Sequence, residues 1–215
     1  MRNLALVWVL AACLLGCGGD KDAKDKAVSA VNTVATFTDT RDGKVYRIVK
    51  IGSQTWFAEN LNYAAEESVC YEDKDANCAT YGRMYNWKTA LTACPAGTHL
   101  PSDKEWTTLV YYAGGAEKAG TKLKSSTGWN SYKGVSGGTD AYGFSALPGG
   151  YGQSRGNFNT AGGHGYWWSA TKFNAGNAWG RGMYYVRELV DRDDYYKTNQ
   201  FSVRCVKDNE KERRK

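Results

Sequence analysis

The cysteines constrain this chain most, because each bonded pair fixes two segments of the backbone against each other. Two of the six lie in an apolar N-terminal segment, and the other four are Cys70, Cys78, Cys94 and Cys205. In an oxidising compartment such a set is expected to form disulfides, and four cysteines allow three connectivities. A short acidic loop between Cys70 and Cys78 favours a local bridge. That pairing would leave Cys94 and Cys205 to close a long loop, which restricts the unfolded chain most.

Zinc binding is the alternative use of these cysteines. The paired Cys-x-x-Cys spacing is absent, and only His99 and His164 could add ligands, so we expect disulfides. Catalysis would require paired carboxylates in a cleft or a histidine with an orienting partner. His99 follows the break at Pro95 and Gly97, which favours a buried hydrogen-bonding role, and His164 lies among glycines. We therefore predict no catalytic residue and no enzymatic activity.

Two acidic clusters are candidates for a calcium site, since calcium prefers several oxygen ligands. They are Asp191, Asp193 and Asp194 in one segment and Glu72, Asp73 and Asp75 in another. Arg192 interrupts the first cluster, and no EF-hand register follows it. We interpret both clusters as solvated acidic turns and expect no metal and no cofactor.

The N-terminal segment is typical of a bacterial lipoprotein signal. Arg2 precedes an apolar run over residues 4–15, and Gly16 precedes Cys17. The run fits the apolar part of a signal peptide and is shorter than the roughly 20 residues that span a bilayer. We predict that residues 1–16 are removed and that Cys17 is lipidated, which anchors the protein to the membrane of the bacterial cell envelope, at the outer membrane or cell surface. The alternatives are an ordinary secretory signal, a short anchor, or lipidation at Cys13.

The rest of the chain divides into a tether, one domain and a tail. Residues 17–33 are small, charged and without periodicity, which predicts a flexible tether. Residues 34–208, about 175 in number, fit one compact domain. Residues 209–215 form a charged tail. The net charge is +6, and much of the excess lies in the last nine residues rather than on one folded face, so we predict no nucleic-acid partner.

Composition and local patterns predict an α+β fold. Twenty-five glycines, fifteen tyrosines and eight tryptophans against three prolines indicate an aromatic, turn-rich chain. Asp42-Gly43 predicts a hairpin, and apolar spacing predicts a helix over residues 84–94. Ser102 with Glu105 forms a capping box, which begins a second helix that ends at residues 114–115. Glycine-rich loops should occupy residues 114–165. Three closing strands are predicted at residues 166–171, 178–186 and 200–206, with a turn at residues 193–199 before the last.

Six segments in this order resemble the Fibrobacter succinogenes major paralogous domain family. They are DGKVY at 42–46, GSQTWFAENLN at 52–62, YGRMYNW at 81–87, CPAGTHLPS at 94–102, WWS at 167–169 and SVRCV at 202–206. That family is similar to the C-type lectin-like fold, which implies two helices flanking small antiparallel sheets and a long loop region. It also implies that Cys94, after the first helix, pairs with Cys205 on the last strand.

The resemblance carries over no activity, because the family has no settled one. Calcium-dependent lectins use a Glu-Pro-Asn or Gln-Pro-Asp loop and a Trp-Asn-Asp strand, and both are absent here. Formylglycine-generating enzymes share the broader fold but use a cysteine pair near the substrate groove. Here every cysteine beyond the signal has a structural assignment, which disfavours that chemistry.

Aromatic residues on the late strands are the candidate binding residues, since tyrosine and tryptophan combine apolar rings with polar tips. The set is Trp167, Trp168, Asn177, Trp179, Arg181 and Tyr184. The alternative is that these rings fill the core of a small disulfide-bonded domain. We predict a non-enzymatic binding module for a glycan or polysaccharide, acting in adhesion. A structural or protein-binding envelope component is the alternative, and a formylglycine-generating-type enzyme comes third.

Overall fold

The computed structural model describes residues 35–133, 135–153 and 156–209, and for Val135 and Ser136 it describes only the backbone. All of these residues belong to the second of two compact units, Val34–Lys215. The predicted signal peptide, the predicted lipidation site Cys17 and the predicted tether at residues 17–33 lie outside the described residues. Residues 210–215 of the predicted tail lie outside them as well.

The described chain contains four α-helices, fourteen short strands and a one-turn 3-10 helix at Tyr71–Asp73. The helices are α1 Asp75–Tyr81, α2 Trp87–Ala93, α3 Asp103–Tyr112 and α4 Ala116–Leu123. The strands are β1 Thr36–Thr38, β2 Val45–Ile51, β3 Gln54–Phe57, β4 Met84–Tyr85, β5 Thr98–His99, β6 Ser131–Tyr132, β7 Val135–Ser136, β8 Tyr151–Gln153, β9 Asn157–Asn159, β10 His164–Lys172, β11 Asn177–Tyr184, β12 Val190–Tyr196, β13 Phe201–Ser202 and β14 Val206–Lys207.

These strands form two five-stranded sheets and two small hairpins. Sheet I has the order β1-β2-β3-β14-β5, and sheet II has the order β12-β11-β10-β13-β4. The hairpins pair β6 with β7 and β8 with β9. Sheet II is antiparallel except where β13 runs parallel to β10.

The predicted α+β, C-type lectin-like fold with two flanking helices is wrong. The described chain is mostly β, with 35% strand against 21% helix, four helices and several sheets, and it is mixed α+β at most.

Residues 114–165 are not all loop, because α4 lies among them. Its internal Gly120 looks like a helix breaker in the sequence. A Cβ there would stand 2.5 Å from the carbonyl oxygen of Glu188, so this glycine permits close backbone packing.

Several local predictions are confirmed. Strands β1 and β2 pair around the Asp42-Gly43 turn, with Thr38 opposite Val45. Helix α3 begins at the predicted capping box, in which Ser102 Oγ accepts from the Glu105 amide at 3.2 Å and Glu105 Oε2 accepts from the Ser102 amide at 2.8 Å. The first predicted helix is shorter than expected, because residues 84–85 pair as β4 with β13 instead.

The predicted last strand, residues 200–206, is two strands in two different sheets. Ser202 of β13 pairs with Trp167 in sheet II, whereas Val206 of β14 pairs with Trp56 in sheet I. The residues between them, including Arg204 and Cys205, are buried at the crossing. This short segment therefore joins the two sheets covalently.

Two disulfides are present, as the cysteine count predicts. Cys70 bonds to Cys78 across 8 residues, and Cys94 bonds to Cys205 across 111 residues. The first closes the loop around α1. The second ties the end of α2 to the crossing between the sheets.

The core consists of two apolar clusters on opposite sides of sheet II. The first packs sheet I and α3 against one face of sheet II, and its larger members include Ile51, Trp56, Trp106, Leu109, Trp167 and Met183. The second lies on the other face and includes Phe57, Leu61, Tyr85, Trp168, Phe201 and Val203. Both faces of β10 are therefore covered at its centre.

Candidate functional site

Three of the six predicted binding residues are structural. Trp167 and Trp168 are adjacent on β10, so their rings point to opposite faces, and both rings are fully buried. Trp167 Nε1 donates to Asn60 Oδ1 at 2.9 Å, and Trp168 Nε1 donates to the Tyr85 carbonyl at 2.8 Å. Neither ring offers a face or a polar atom to a ligand, so this part of the site prediction is corrected.

Arg181 is buried as well and joins sheet II to α3. Its Nη1 lies 2.8 Å from Asp103 Oδ1, and its Nη2 donates to Thr107 Oγ1 at 3.1 Å. Burial by itself would raise the pKa of Asp103, but hydrogen bonds from Arg192 and Arg181 outweigh it and hold that pKa below its ordinary value. Arg181 is therefore the inner member of an ion-pair network.

The other three predicted residues lie on opposite faces of β11. Side chains alternate along a strand, so Asn177 and Trp179 share one face and Tyr184 belongs to the other. Each of these two faces carries a separate cluster of side chains that is partly open to solvent. The predicted binding set is thus divided between the core and two surfaces.

The first surface, which we call the platform, is the part of sheet II beyond the N-terminus of α3, where Asp103 bonds to Arg192. It consists of Phe173, Asn177, Trp179, Arg192, Asp194 and Tyr196. Phe173 is 50% exposed and Tyr196 is 69% exposed. Their rings are the largest apolar groups that the platform presents to solvent.

Polar contacts hold the platform in a defined arrangement. The guanidinium carbon of Arg192 lies 3.5 Å from the ring centroid of Trp179, and the Phe173 ring meets the same indole edge-on at 5.0 Å. Arg192 also donates to both carboxylate oxygens of Asp103, at 3.0 Å from Nε and 2.9 Å from Nη2. Trp179 is therefore fixed between a held cation and a second ring.

An amide and a carboxylate complete the platform. Asn177 Nδ2 donates to Asp194 Oδ2, across the pairing of β11 with β12. Both residues are partly exposed, and each keeps oxygen lone pairs beyond this one hydrogen bond. A surface that binds sugars requires aromatic rings, which stack against the sugar. It also requires polar groups such as amides and carboxylates, which form hydrogen bonds with the sugar hydroxyls.

The second surface, which we call the tyrosine face, lies on the opposite side of β11. It consists of His164, Tyr166, Tyr184, Asp191 and Tyr195. His164 Nδ1 lies 3.1 Å from the Tyr166 hydroxyl, and the Tyr184 hydroxyl donates to Asp191 Oδ2 at 3.1 Å. Burial is the main cause that raises the pKa of all three tyrosines, so their hydroxyls stay protonated further into the alkaline range than that of a free tyrosine.

Two glycines of β11 make room for the tyrosine face. A Cβ at Gly182 would stand 2.7 Å from the Tyr184 hydroxyl oxygen, and a Cβ at Gly180 would stand 2.9 Å from the Tyr195 ring. The two rings lie over the bare backbone of the strand. Beside them a cavity of about 260 Å³ is lined by His164, Tyr184, Val186 and Arg187.

Other clefts are larger but lie away from these surfaces. A polar cleft of about 530 Å³ is bounded by the 3-10 helix and the β8–β9 hairpin, and its lining includes Glu72, Asp73, Gln153 and Asn157. The prediction of a merely solvated turn therefore missed that Glu72 and Asp73 form one wall of a cleft. Another cavity, of about 430 Å³, is lined by Arg47, Glu59 and Tyr81 among others.

Sequence reasoning missed most of the platform, because it placed a turn where β12 lies. Asp193 and Asp194 are strand residues opposite Gly180 and Trp179, so the interpretation of a solvated acidic turn is wrong for them. The segment carries no apolar alternation that would indicate a strand. Only its pairing with β11 brings Asp194 and Tyr196 beside Asn177.

Among residues 35–133, 135–153 and 156–209, no group of three or more His, Cys, Asp or Glu side chains is placed to hold a metal ion. No helix within the same ranges has the length and apolar character needed to cross a membrane.

The chain matches the family described as the Fibrobacter succinogenes major domain over residues 49–207. The match covers most of the chain, so the protein belongs to this family, and the resemblance predicted from the six segments is confirmed. No curated protein and no solved structure matches the chain.

Proposed function

We propose that the protein is a lipid-anchored module of the bacterial cell envelope that binds polysaccharide through the platform. The observation that carries this proposal is the exposure of the Phe173 and Tyr196 rings beside the hydrogen-bonded pair Asn177 and Asp194. The anchor rests on the sequence pattern that ends at Cys17. Attachment at the membrane would present the platform to glycans of the envelope or its surroundings.

A sheet surface suits an extended ligand better than a small one. Trp179 and Tyr196 lie on the neighbouring strands β11 and β12, and Phe173 directly follows the end of β10. Sugar residues along one chain would therefore contact several rings at once. Arg192 and Asp103 hold the central indole before any ligand arrives, and a surface that is already ordered loses less conformational entropy on binding. Weak contacts repeated along a polymer add up through their high effective concentration.

The test is a binding screen with the purified full-length chain in detergent, against insoluble cellulose, xylan, chitin and peptidoglycan. We expect saturable binding to at least one of them. Tyr196→Ser and Phe173→Ser should each weaken that binding about tenfold, which corresponds to about 1.4 kcal/mol. Tyr196 is 69% exposed, so the Tyr196→Ser variant should have nearly the same melting temperature as the unchanged protein.

The matched control is Tyr111→Ser, because Tyr111 is 82% exposed on α3 and lies outside the platform. Its binding should equal that of the unchanged chain. A folded protein that binds none of these polysaccharides would overturn the proposal and favour a structural or protein-binding role. Equal loss in all three variants would place the binding outside the platform.

A further inference from the structure

The cavity beside the tyrosine face has a composition unlike that of the platform. Its lining combines a guanidinium from Arg187, an imidazole from His164, the ring of Tyr184 and the apolar side chain of Val186. No carboxylate lines it. Asp191 is engaged at the hydroxyl end of Tyr184 and is not part of the wall.

Arg187 is the exposed cation of this cavity. Its guanidinium carbon lies 5.7 Å from the centroid of the Tyr184 ring, and in the described chain no carboxylate pairs with it. The neighbouring Glu188 is occupied by Lys118, whose Nζ lies 2.6 Å from Glu188 Oε2. A guanidinium without a carboxylate partner has its donors free for a carboxylate or phosphate, which it can bind through two parallel hydrogen bonds.

A second cation lies directly behind the cavity wall. Lys124 is 1% exposed, and its Nζ donates to the carbonyl oxygens of Tyr184 and Arg187 at 3.0 and 2.9 Å. Among the described residues it forms no ion pair. Burial lowers the pKa of Lys124, which is the expected result for an ammonium held mainly by neutral carbonyls. This lysine fixes both ends of the segment that lines the cavity and adds positive charge beneath it.

His164 contributes the third polar group. Its ring meets the Tyr184 ring edge-on at 4.7 Å, and its Nδ1 contacts the Tyr166 hydroxyl. Burial, with the charge of Arg187 as a further cause, lowers the pKa of His164, so the imidazole is neutral at pH 7. A bound anion would oppose both effects and favour the protonated ring. The groups that face this ring are Tyr166, Tyr184, Tyr185 and Arg187.

We propose that this cavity binds an anionic group, either a carboxylate or a phosphate, on the end of a larger ligand. Arg187 supplies the charged donors, His164 a further polar contact, and Lys124 the shape and potential of the wall. The volume of about 260 Å³ is below that of sites that enclose a whole drug-sized ligand, so it fits a terminal group. The site lies on the opposite face of β11 from the platform and does not depend on the proposed function.

The chain offers a direct readout, because it contains only two histidines. Full-length protein with ¹⁵N-labelled histidine is titrated with glucuronate, with inorganic phosphate and with glucose as the uncharged counterpart, all at the same ionic strength set by sodium chloride. We expect glucuronate or phosphate to shift the His164 signals saturably and to raise its pKa. His99, which is held by Glu105 and Asp208, should not respond.

The variant Arg187→Gln should weaken anion binding at least tenfold. The matched control Arg47→Gln removes a guanidinium that pairs with Glu59 on sheet I, and it should leave binding unchanged. A response to glucuronate alone would identify a carboxylate ligand, and a response to phosphate alone a phosphorylated one. No His164 response to either anion, or an equal response to glucose, would overturn the proposal.

Discussion

The guanidinium of Arg204 donates twice to the side-chain oxygen of Asn60, from Nη2 at 2.7 Å and from Nε at 3.1 Å. Trp167 Nε1 donates to the same oxygen, so one amide oxygen accepts hydrogen bonds from the side chains of both Arg204 and Trp167. The other hydrogen bonds of this guanidinium go to backbone carbonyls, including that of Phe144. Complete burial lowers the pKa of Arg204 to about 9, because in the described chain no carboxylate bonds to it directly.

We expect Asn60→Ala to be among the most destabilising single changes in the domain. It leaves buried donors of Arg204 and Trp167 without an acceptor, and an uncompensated buried charge costs about 3–5 kcal/mol. Both variants lose the donation from Asn60 Nδ2 to the Tyr81 carbonyl, but Asn60→Asp keeps an acceptor and adds a charge opposite Arg204, so its loss of stability should be smaller. Urea unfolding at pH 7 measures the loss of stability in both variants. The control is Asn62→Ala, which has no side-chain hydrogen bond to lose and should change the free energy of unfolding by no more than about 0.5 kcal/mol. Equal losses in the Ala and Asp variants would assign the stability to the amide donation to Tyr81 and contradict the role of the oxygen.

The two disulfides should differ in their effect on stability. A loop of 111 residues restricts the unfolded chain more than a loop of 8. Chain entropy gives about 4.8 kcal/mol for Cys94–Cys205 and about 2.5 kcal/mol for Cys70–Cys78. We expect the double variant Cys94→Ala/Cys205→Ala to lose about 2 kcal/mol more than Cys70→Ala/Cys78→Ala, measured by guanidinium unfolding without reductant. Equal losses would indicate that native contacts, rather than loop length, dominate.

His99 should make stability depend on alkaline pH. Its hydrogen bond to Glu105, followed by that to Asp208, raises the pKa of His99 to about 9 against 6.5 in the unfolded chain. The contribution of His99 to the stability of the folded protein is therefore complete below pH 6.5 and is lost as the pH rises through 9. Because the ring is about one-third exposed, we expect a fall of only about 1–2 kcal/mol between pH 6 and 9.5.

The variant His99→Gln should flatten that alkaline profile in thermal unfolding. His164→Gln is the matched control, since the pKa of His164 is lowered in the folded protein. A group of that kind contributes above its unfolded pKa and loses its contribution as the pH falls. An unchanged alkaline profile in His99→Gln would exclude the two ion pairs as its cause.

Gly120→Ala should destabilise the protein although alanine favours helices by about 1 kcal/mol. The new methyl group would stand 2.5 Å from the Glu188 carbonyl oxygen and 2.6 Å from that of Leu189, so α4 would have to move away from the start of β12. We expect a loss of about 1–3 kcal/mol by urea unfolding. Glu117→Ala on the exposed side of the same helix is the control and should be nearly neutral. A gain of stability in Gly120→Ala would show that α4 can move away from Glu188 and Leu189 without destabilising the protein.

The sequence predicted features that depend on a few neighbouring residues. The Asp42-Gly43 turn, the capping box of Ser102 and Glu105, and the use of cysteines in disulfides all follow from local chemistry or from simple counts. The family followed from the order of short segments, and the match over residues 49–207 confirms it.

The number of helices, the sheet membership and the burial of the candidate residues could not be predicted in the same way. Glycine inside α4 reads as a breaker, although close backbone packing requires it there. The closing segment reads as one strand, although its halves pair in different sheets.

The sequence by itself therefore determined the family, the disulfide chemistry and the aromatic character of the late strands, because these follow from residue identity and spacing. Only the tertiary structure decided that Trp167, Trp168 and Arg181 are internal while Trp179 and Tyr184 lie on opposite surfaces. A strand exposes or buries a ring according to what packs on each face, and that depends on α3 and sheet I, which are distant in the chain.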